Sequence, residues 1–332
     1  MKSNLSSRNQ KIILSIAVIL ALLVISIYYK VIQNKDTGEI RLVTHNAFVF
    51  EPSLLKSFEA ESGDKVKLIQ IGDVGTLTNK LILTKNDPLG DLVFGLDNTF
   101  GPIAQKAGLL QSKLIPTDSG EVCFNYDLNY FSTHKINPPK DLSDLTSSRF
   151  KNLIVIENPN TSSTGLSLLA ATEGKFSSSE WKGFWTGLKA NGVKIDNDWE
   201  KAYYSDFSGS SGKGNYPIVL SYDSSPADEI RSNGKSQTQN LLDGCFKQTE
   251  YISILKGAKN IVGADKLIKF ILSPNFQKSF PTTMYMFPIN SNIPLPKEWN
   301  MAVTRPAQTY GDTLPIARLE NKWLYSWNQI FQ

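Results

Sequence analysis

Short apolar runs alternate with amphipathic stretches over most of the chain, and each kind predicts its own element. Ile40–Thr44 predicts a strand, and Pro52–Glu61 a helix with Leu54, Leu55 and Phe58 on one face. Lys65–Ile71 alternates charged and apolar positions as a strand does. Thr76–Thr84 returns to helical spacing through Leu77, Leu81 and Leu83, and Asp91–Leu96 is a short apolar strand. The series resumes with strand Leu153–Glu157, the polar loop Asn158–Thr164 and a helix over Gly165–Thr172. Trp181–Ala190 predicts another helix, and Pro217–Tyr222 a strand closed by the polar turn Asp223–Pro226. Strands separated by helices predict parallel βαβ units and an α/β fold.

Between the two α/β regions lies strand Glu121–Tyr126, and a matching strand, Gln248–Ile254, follows the second region. Such a pair carries the chain out of one lobe and back. The organisation this predicts is a first lobe of residues 36–122 and 250–290, a second of residues 123–249, and a helical segment, 291–332, packed on both. Within that segment Leu319–Phe331 sets Trp323, Trp327 and Phe331 at i, i+4 and i+8, a seam for core packing.

The N-terminus follows a different pattern. Ile12–Tyr29 is an apolar run of 18 residues broken only by Ser15 and Ser26 and preceded by Lys2, Arg8 and Lys11. As a helix it would rise about 27 Å, enough to cross a thin bilayer. The basic flank puts the N-terminus inside and the body outside. No small-x-small cleavage site and no lipid-accepting cysteine follow the run, which favours an uncleaved anchor in residues 1–35 over a cleaved signal.

This segment also accounts for the charge. The formal net charge is +4, but residues 1–35 hold five cations and no acid, and the other 297 residues carry 30 basic against 31 acidic side chains. A nearly neutral body has no electrostatic footprint for nucleic acid. Cys123 and Cys245 are too far apart for a Cys-x-x-Cys metal or redox motif. Outside the membrane a lone pair of cysteines favours a disulfide, two independent buried cysteines being the alternative.

Catalytic signatures are missing. Gly209–Gly214 imitates a phosphate loop without the GxxxxGK[ST] spacing, and neither GxSxG nor HExxH occurs. His45 and His134 are the only histidines, too few for a histidine zinc site, and no carboxylate pair stands out as a dyad. Neither a metal nor a cofactor is expected. What stands out instead is a set of polar and aromatic residues just after short apolar strands, where open α/β sheets bind ligands. In the first lobe these are His45, Asn46 and Phe48, then Asp73, then Asp97 and Asn98; in the second they are Ser162, Ser163 and Thr164, Trp199, and Tyr222 with Ser224 and Ser225. Thr161–Gly165 opens a helix, so it offers either ordinary N-capping or a cradle for an anion. Trp199, Tyr222 and Tyr285 could stack on a flat or cationic ring. Adjacent Tyr203 and Tyr204 could supply a pair of phenolates to a hard cation such as Fe³⁺.

At these residues the chain resembles the thiamine-binding periplasmic proteins of ABC importers. Asp91–Asn98 (DLVFGLDN) is similar to that family's D-V-V-x-G-L-D-N, and Leu220–Ala227 (LSYDSSPA) to L-S-Y-T-T-S-P-A. Asp198–Tyr203 parallels G-W-S-E-A-Y, Asn160–Leu166 parallels T-S-T-P-G-L, and Pro281–Pro288 parallels P-T-G-N-W-M-Y-P. The resemblance runs in order from Arg41 to Pro296. It implies a two-lobed, type II periplasmic-binding-protein-like fold, monomeric and outside the cytoplasm, that closes on thiamine or its mono- or diphosphate and serves a membrane permease with its ATPase. Trp199 and Tyr222 would line the ring site, Ser162 and Ser163 would meet the phosphate or hydroxyethyl end, and Asn46 and Asp73 would add contacts from the first lobe. Two positions depart from the pattern: Tyr285 stands where the family has tryptophan, and Asn46 where it has an acid. The rival readings are a ferric-iron receptor of the same fold and an extracytoplasmic thiamine-degrading transferase, which would need a thiolate nucleophile.

Overall fold

Strand β1 (Glu39–Thr44) lies between β2 (Lys65–Gln70) and β3 (Leu92–Asp97), parallel to both. The computed structural model describes residues 38–211 and 213–332. The apolar run Ile12–Tyr29 and the anchor assigned to residues 1–35 lie outside the described residues, and no helix among the described residues is long and apolar enough to cross a membrane. β3 is buried along its whole length, as a parallel strand covered on both faces must be. β2 forms the sheet edge, where Lys65 and Lys67 point to solvent and blunt edge-to-edge pairing.

Helix α1 (Pro52–Ser62) joins β1 to β2. The Glu51 carboxylate caps it by accepting from the N–H groups of Ser53 and Leu54 (3.1 and 2.9 Å), and Pro52 fits the first turn, where a missing N–H costs nothing. Gly63, at φ +77°, ends it in the left-handed conformation. Leu54 and Phe58, one turn apart, enter an apolar cluster with Leu267, Ile268 and Ile271 of helix α6 (Ile261–Ile271). Helix α2 (Val74–Leu83) joins β2 to β3, and the short α3 (Gly101–Lys106) follows β3.

Two long antiparallel strands, β4 (Ile115–Asp127) and β8 (Thr238–Ile254), run through both halves of the molecule. At about 3.3 Å per residue β8 extends roughly 55 Å, enough to serve two lobes. Its C-terminal end pairs with β3, while the C-terminal half of β4 pairs with β7 (Ile218–Tyr222). β7 lies parallel to β5 (Ile154–Glu157), which in turn pairs with β6 (Lys194–Asp196). The sheet order is therefore β2-β1-β3-β8-β4-β7-β5-β6, with the two-residue β9 (Phe287–Pro288) beside β4. Parallel sheets occupy the flanks and the crossing pair the centre.

The disulfide between Cys123 and Cys245 ties β4 to β8 where their register shifts, beside Gly244 at φ +76°. It links positions 122 residues apart, which removes conformational freedom from the unfolded chain. In the second lobe, helix α4 (Ser163–Lys175) is buried continuously from Ser163 to Thr172, and α5 (Ser178–Ala190) buries Trp181, Phe184, Trp185 and Leu188. Helix α7 (Ile316–Phe331) packs on α3 of one lobe and α5 of the other. Its predicted seam is present: Trp327 meets Trp185 edge-on at 6.2 Å and stacks on Phe331 at 4.6 Å.

Candidate functional site between the lobes

The carboxyl ends of β1, β2, β5, β6 and β7 converge on one cleft, floored by β8 and closed on one side by the segment Thr283–Met286. The cleft encloses about 1050 Å³ including its open mouth.

Aromatic rings form the wall on the second lobe. Trp199 stacks on Tyr203, with centroids 5.0 Å apart and planes 16° apart, and meets Tyr222 and Tyr204 at steep angles. The chain makes a π-helical turn over Lys201–Asp206, a distortion frequent at functional sites, and this turn presents Tyr203 and Tyr204 together. The Trp199 indole N–H donates to Ser221 Oγ (2.8 Å), which fixes the ring plane. The Tyr203 hydroxyl donates to Ser225 O and Glu229 Oε1 (both 3.2 Å), and that of Tyr204 to Asp228 Oδ2 (3.0 Å). Burial, reinforced by Glu229 and Asp228, holds both phenols well above their ordinary pKa. Tyr285, beside Asp228, sits at φ +52°, a left-handed conformation rare for a bulky residue.

Asp73 joins the two lobes. It caps α2 through the Val74 N–H (2.6 Å) and reaches across to the second lobe, accepting from the N–H of Trp199 (3.1 Å) and, more distantly, that of Ser163 (3.5 Å). Burial raises its pKa; Ser162 and the N–H donors of Val74 and Trp199 oppose that rise. Beside it, the Thr76 N–H donates to Thr161 O (3.0 Å), a second bond between lobes. At the Thr161–Gly165 helix start the Ser163 N–H thus faces the Asp73 carboxyl group rather than a side-chain cap of its own.

The floor carries a charge pair. His45 Nε2 lies 3.6 Å from Glu250 Oε2, and both side chains are almost wholly buried. Burial alone would lower the His45 pKa; the Glu250 carboxylate, with Asp73 and Asp97, outweighs it and raises the pKa above 6.5. Gly95, at φ +86°, makes room for this ring, since a Cβ there would stand 2.1 Å from His45 Cδ2.

The cleft brings together His45, Asn46, Asp73, Ser163, Thr164, Trp199, Tyr203, Tyr222, Ser225 and Tyr285 from the sequence-derived set. Five others stand outside it. Phe48 packs on Phe94 (4.5 Å) in the first-lobe core, because apolar surface there outweighs its strand-end position. Asp97 turns inward, accepting from Thr99 and from the Phe100 N–H, and burial lifts its pKa to about 6. Asn98 bonds Lys247 O and the Thr249 N–H across the crossing strand. Ser162 is buried against Thr164, and Ser224 is buried within the turn after β7. The sequence reading missed the carboxylates Asp198, Glu200, Asp228 and Glu250, with Met284 and Met286, and it placed Tyr204 only in the ferric-iron alternative. Glu250 had a legible signal: in β8 it shares the buried alternate positions with Phe246, Gln248, Ile252 and Ile254, an inward place where a charge needs a reason.

The thiamine-binding periplasmic protein of Escherichia coli (strain K12) is 29% identical over 298 residues, covering 84% of this chain and 88% of that protein. That of Brucella suis biovar 1 (strain 1330) is 28% identical over 319 residues, covering 89% and 92%. Among solved structures, a periplasmic thiamin binding protein aligns with a TM-score of 0.77 at 25% identity, covering 89% of this chain and 96% of that one. The sequence profile described as bacterial extracellular solute-binding protein matches residues 96–310, from the end of β3 past the last strand of the sheet. On that match the chain belongs to the bacterial extracellular solute-binding proteins.

Proposed function

We propose that this chain captures thiamine between its lobes and hands it to the membrane permease of an ABC importer, with residues 1–35 as its tether to the membrane. The observation that carries the reading is the pairing of an aromatic wall, Trp199 with Tyr203, Tyr204 and Tyr222, with a lining that holds five carboxylates. Aromatic faces and carboxylates together suit a flat organic cation such as a thiazolium. The thiamine-binding names of the aligned proteins agree with that chemistry. In the domain reading proposed here, residues 36–122 and 250–290 form one jaw, residues 123–249 the other, and residues 291–332 strap the two. Calorimetric titration of the purified protein with thiamine is expected to give saturable binding at one site per chain; no heat and no thermal shift would overturn the reading.

The paired tyrosines do not favour iron. Fe³⁺ needs phenolates, whereas the hydroxyls of Tyr203 and Tyr204 donate to separate carboxylates, and burial together with that charge holds their protons in place. Ferric citrate is expected to produce no visible phenolate charge-transfer band. A thiamine-degrading reaction would lack its thiolate, since Cys123 and Cys245 are joined to each other.

The His45–Glu250 pair gives the binding a pH dependence. Protonated His45 puts a positive charge on the cleft floor, and a cation binds better once that proton leaves. Because the pKa of His45 lies above 6.5, thiamine affinity is expected to climb severalfold as pH rises from 6.5 through that raised pKa. Over the same window the stability due to the charged pair, fully present below 6.5, is lost. Titrations across this range check it, and His45→Gln should flatten the profile.

A further inference from the structure

We propose that Gln248, on the crossing strand β8 and outside the cleft lining, is a positioning residue that fixes Tyr222 and leaves its hydroxyl proton for an acceptor on the ligand; this rests on the thiamine reading above and adds a residue to it. Gln248 is wholly buried, at an inward place of β8 between Phe246 and Glu250. A buried amide needs a partner at each end. Ser167 Oγ, in α4 one turn beyond Ser163, donates to its Oε1 (3.2 Å), and its Nε2 donates to the Tyr222 hydroxyl (2.9 Å). The bond to Ser167 sets which way round the amide lies, and so presents an N–H rather than a carbonyl to Tyr222. A phenol that accepts keeps its own proton to give. A phenolic O–H lies close to the ring plane, on one side or the other. The amide takes one side and turns the proton to the other, on a ring that lines the cleft.

The rest of Tyr222 is seated to match. Its backbone N–H donates to Ser225 Oγ (3.2 Å), which lies 2.8 Å from Ser221 Oγ, the acceptor of the Trp199 indole N–H. The two rings of the wall therefore share one pair of serines. Gly120, paired with Gln248 across β4 and β8, leaves room for the Tyr222 ring. A Cβ there would stand 3.2 Å from Tyr222 Cδ1 and 3.4 Å from Met286 Sδ. Backbone and ring are thus held by the turn after β7 and by β4, while the hydroxyl is held by Gln248. Without the amide, both in-plane directions open to the phenol proton, and a ligand must fix one of them as it binds.

A double-mutant cycle in thiamine affinity tests this, read by calorimetry on the full-length protein with melting of the same samples. Gln248→Met, similar in length and apolar, is expected to weaken thiamine binding about three- to tenfold, the weight of one hydrogen bond. In a Tyr222→Phe background the same change is expected to leave affinity within about twofold, because the hydroxyl it acts through is gone. Ser167→Ala keeps the amide but frees it to turn over; a loss of about two- to fivefold is expected, again absent beside Phe. This milder variant carries the test if Gln248→Met does not fold. Equal losses in both backgrounds would make Gln248 a packing residue, and no loss in either would remove it from recognition. Both outcomes overturn the proposal and leave the thiamine reading standing. No thiamine binding by the parent protein overturns that reading itself.

Discussion

Replacing Trp199 by alanine is expected to weaken thiamine binding more than about tenfold, with little effect on the ligand-free fold, because stacking a flat ring on an aromatic face contributes roughly 1–3 kcal/mol. Trp199 is partly exposed, stacked on Tyr203 on one side and lining the cleft. The contact between lobes runs through its backbone N–H to Asp73, and alanine keeps that bond. Truncation therefore removes the wall while leaving the closure contact. It also frees Ser221 Oγ, which retains Ser225 Oγ at 2.8 Å, so no buried hydroxyl is stranded. Trp199→Phe, which restores a π face without the indole N–H, is expected to recover part of the loss. Calorimetry with thiamine decides the matter, and an unchanged affinity for the alanine variant takes Trp199 out of the site.

The lobes were legible because their strands and helices keep clean periodicities. Ile40–Thr44 and Leu153–Glu157 read as strands since their buried positions ahead of the terminal Thr44 and Glu157 are apolar, and the seam of Trp323, Trp327 and Phe331 reads as a packed helix face. The crossing strands run longer than their periodicity predicts. β8 begins at Thr238 rather than Gln248, because Asn240, Asp243 and the bulge at Gly244 break its alternation. β4 begins at Ile115 rather than Glu121, because Pro116 and Gly120 resemble loop residues. Strand continuity there comes from pairing with each other, a non-local cause that periodicity does not record.

The site divides along similar lines. Residues that end strands, such as His45, Trp199 and Tyr222, were found by position. Phe48 and Asp97 share that position but face the core, and a one-residue change of direction at a strand end is invisible without the fold. The acids were missed for another reason: Asp198, Glu200 and Asp228 look like ordinary solvated charge until the cleft gathers them around one space. The place of Asp73 after β2 predicts a contact with ligand, while its bonds run to the opposite lobe. It is as much a part of closure as of recognition.

Closure also depends on Gly75, and Gly75→Ala is expected to weaken thiamine binding by roughly 30- to 100-fold while the ligand-free protein melts within a few degrees of the parent. A Cβ at this position would stand 2.6 Å from the carbonyl carbon of Thr161 and 2.7 Å from its oxygen. Those atoms are backbone and cannot rotate away, which puts the substitution at the upper end of the about 1–3 kcal/mol that overpacking costs. The cost falls on the closed arrangement, since Thr161 belongs to the second lobe and its carbonyl accepts the Thr76 N–H only when the lobes meet. With the lobes apart the added methyl meets Phe100 Cζ at 2.8 Å, a ring tip able to shift, and the helix gains up to about 1 kcal/mol in propensity over glycine. The two effects within the first lobe offset each other, so stability holds while the population able to grip ligand falls, and apparent affinity falls in proportion. Titration and melting of the same preparation separate the cases. Affinity within twofold of the parent would mean that the jaws grip ligand without the Thr76–Thr161 contact, and closure would then have to be sought at Asp73 alone.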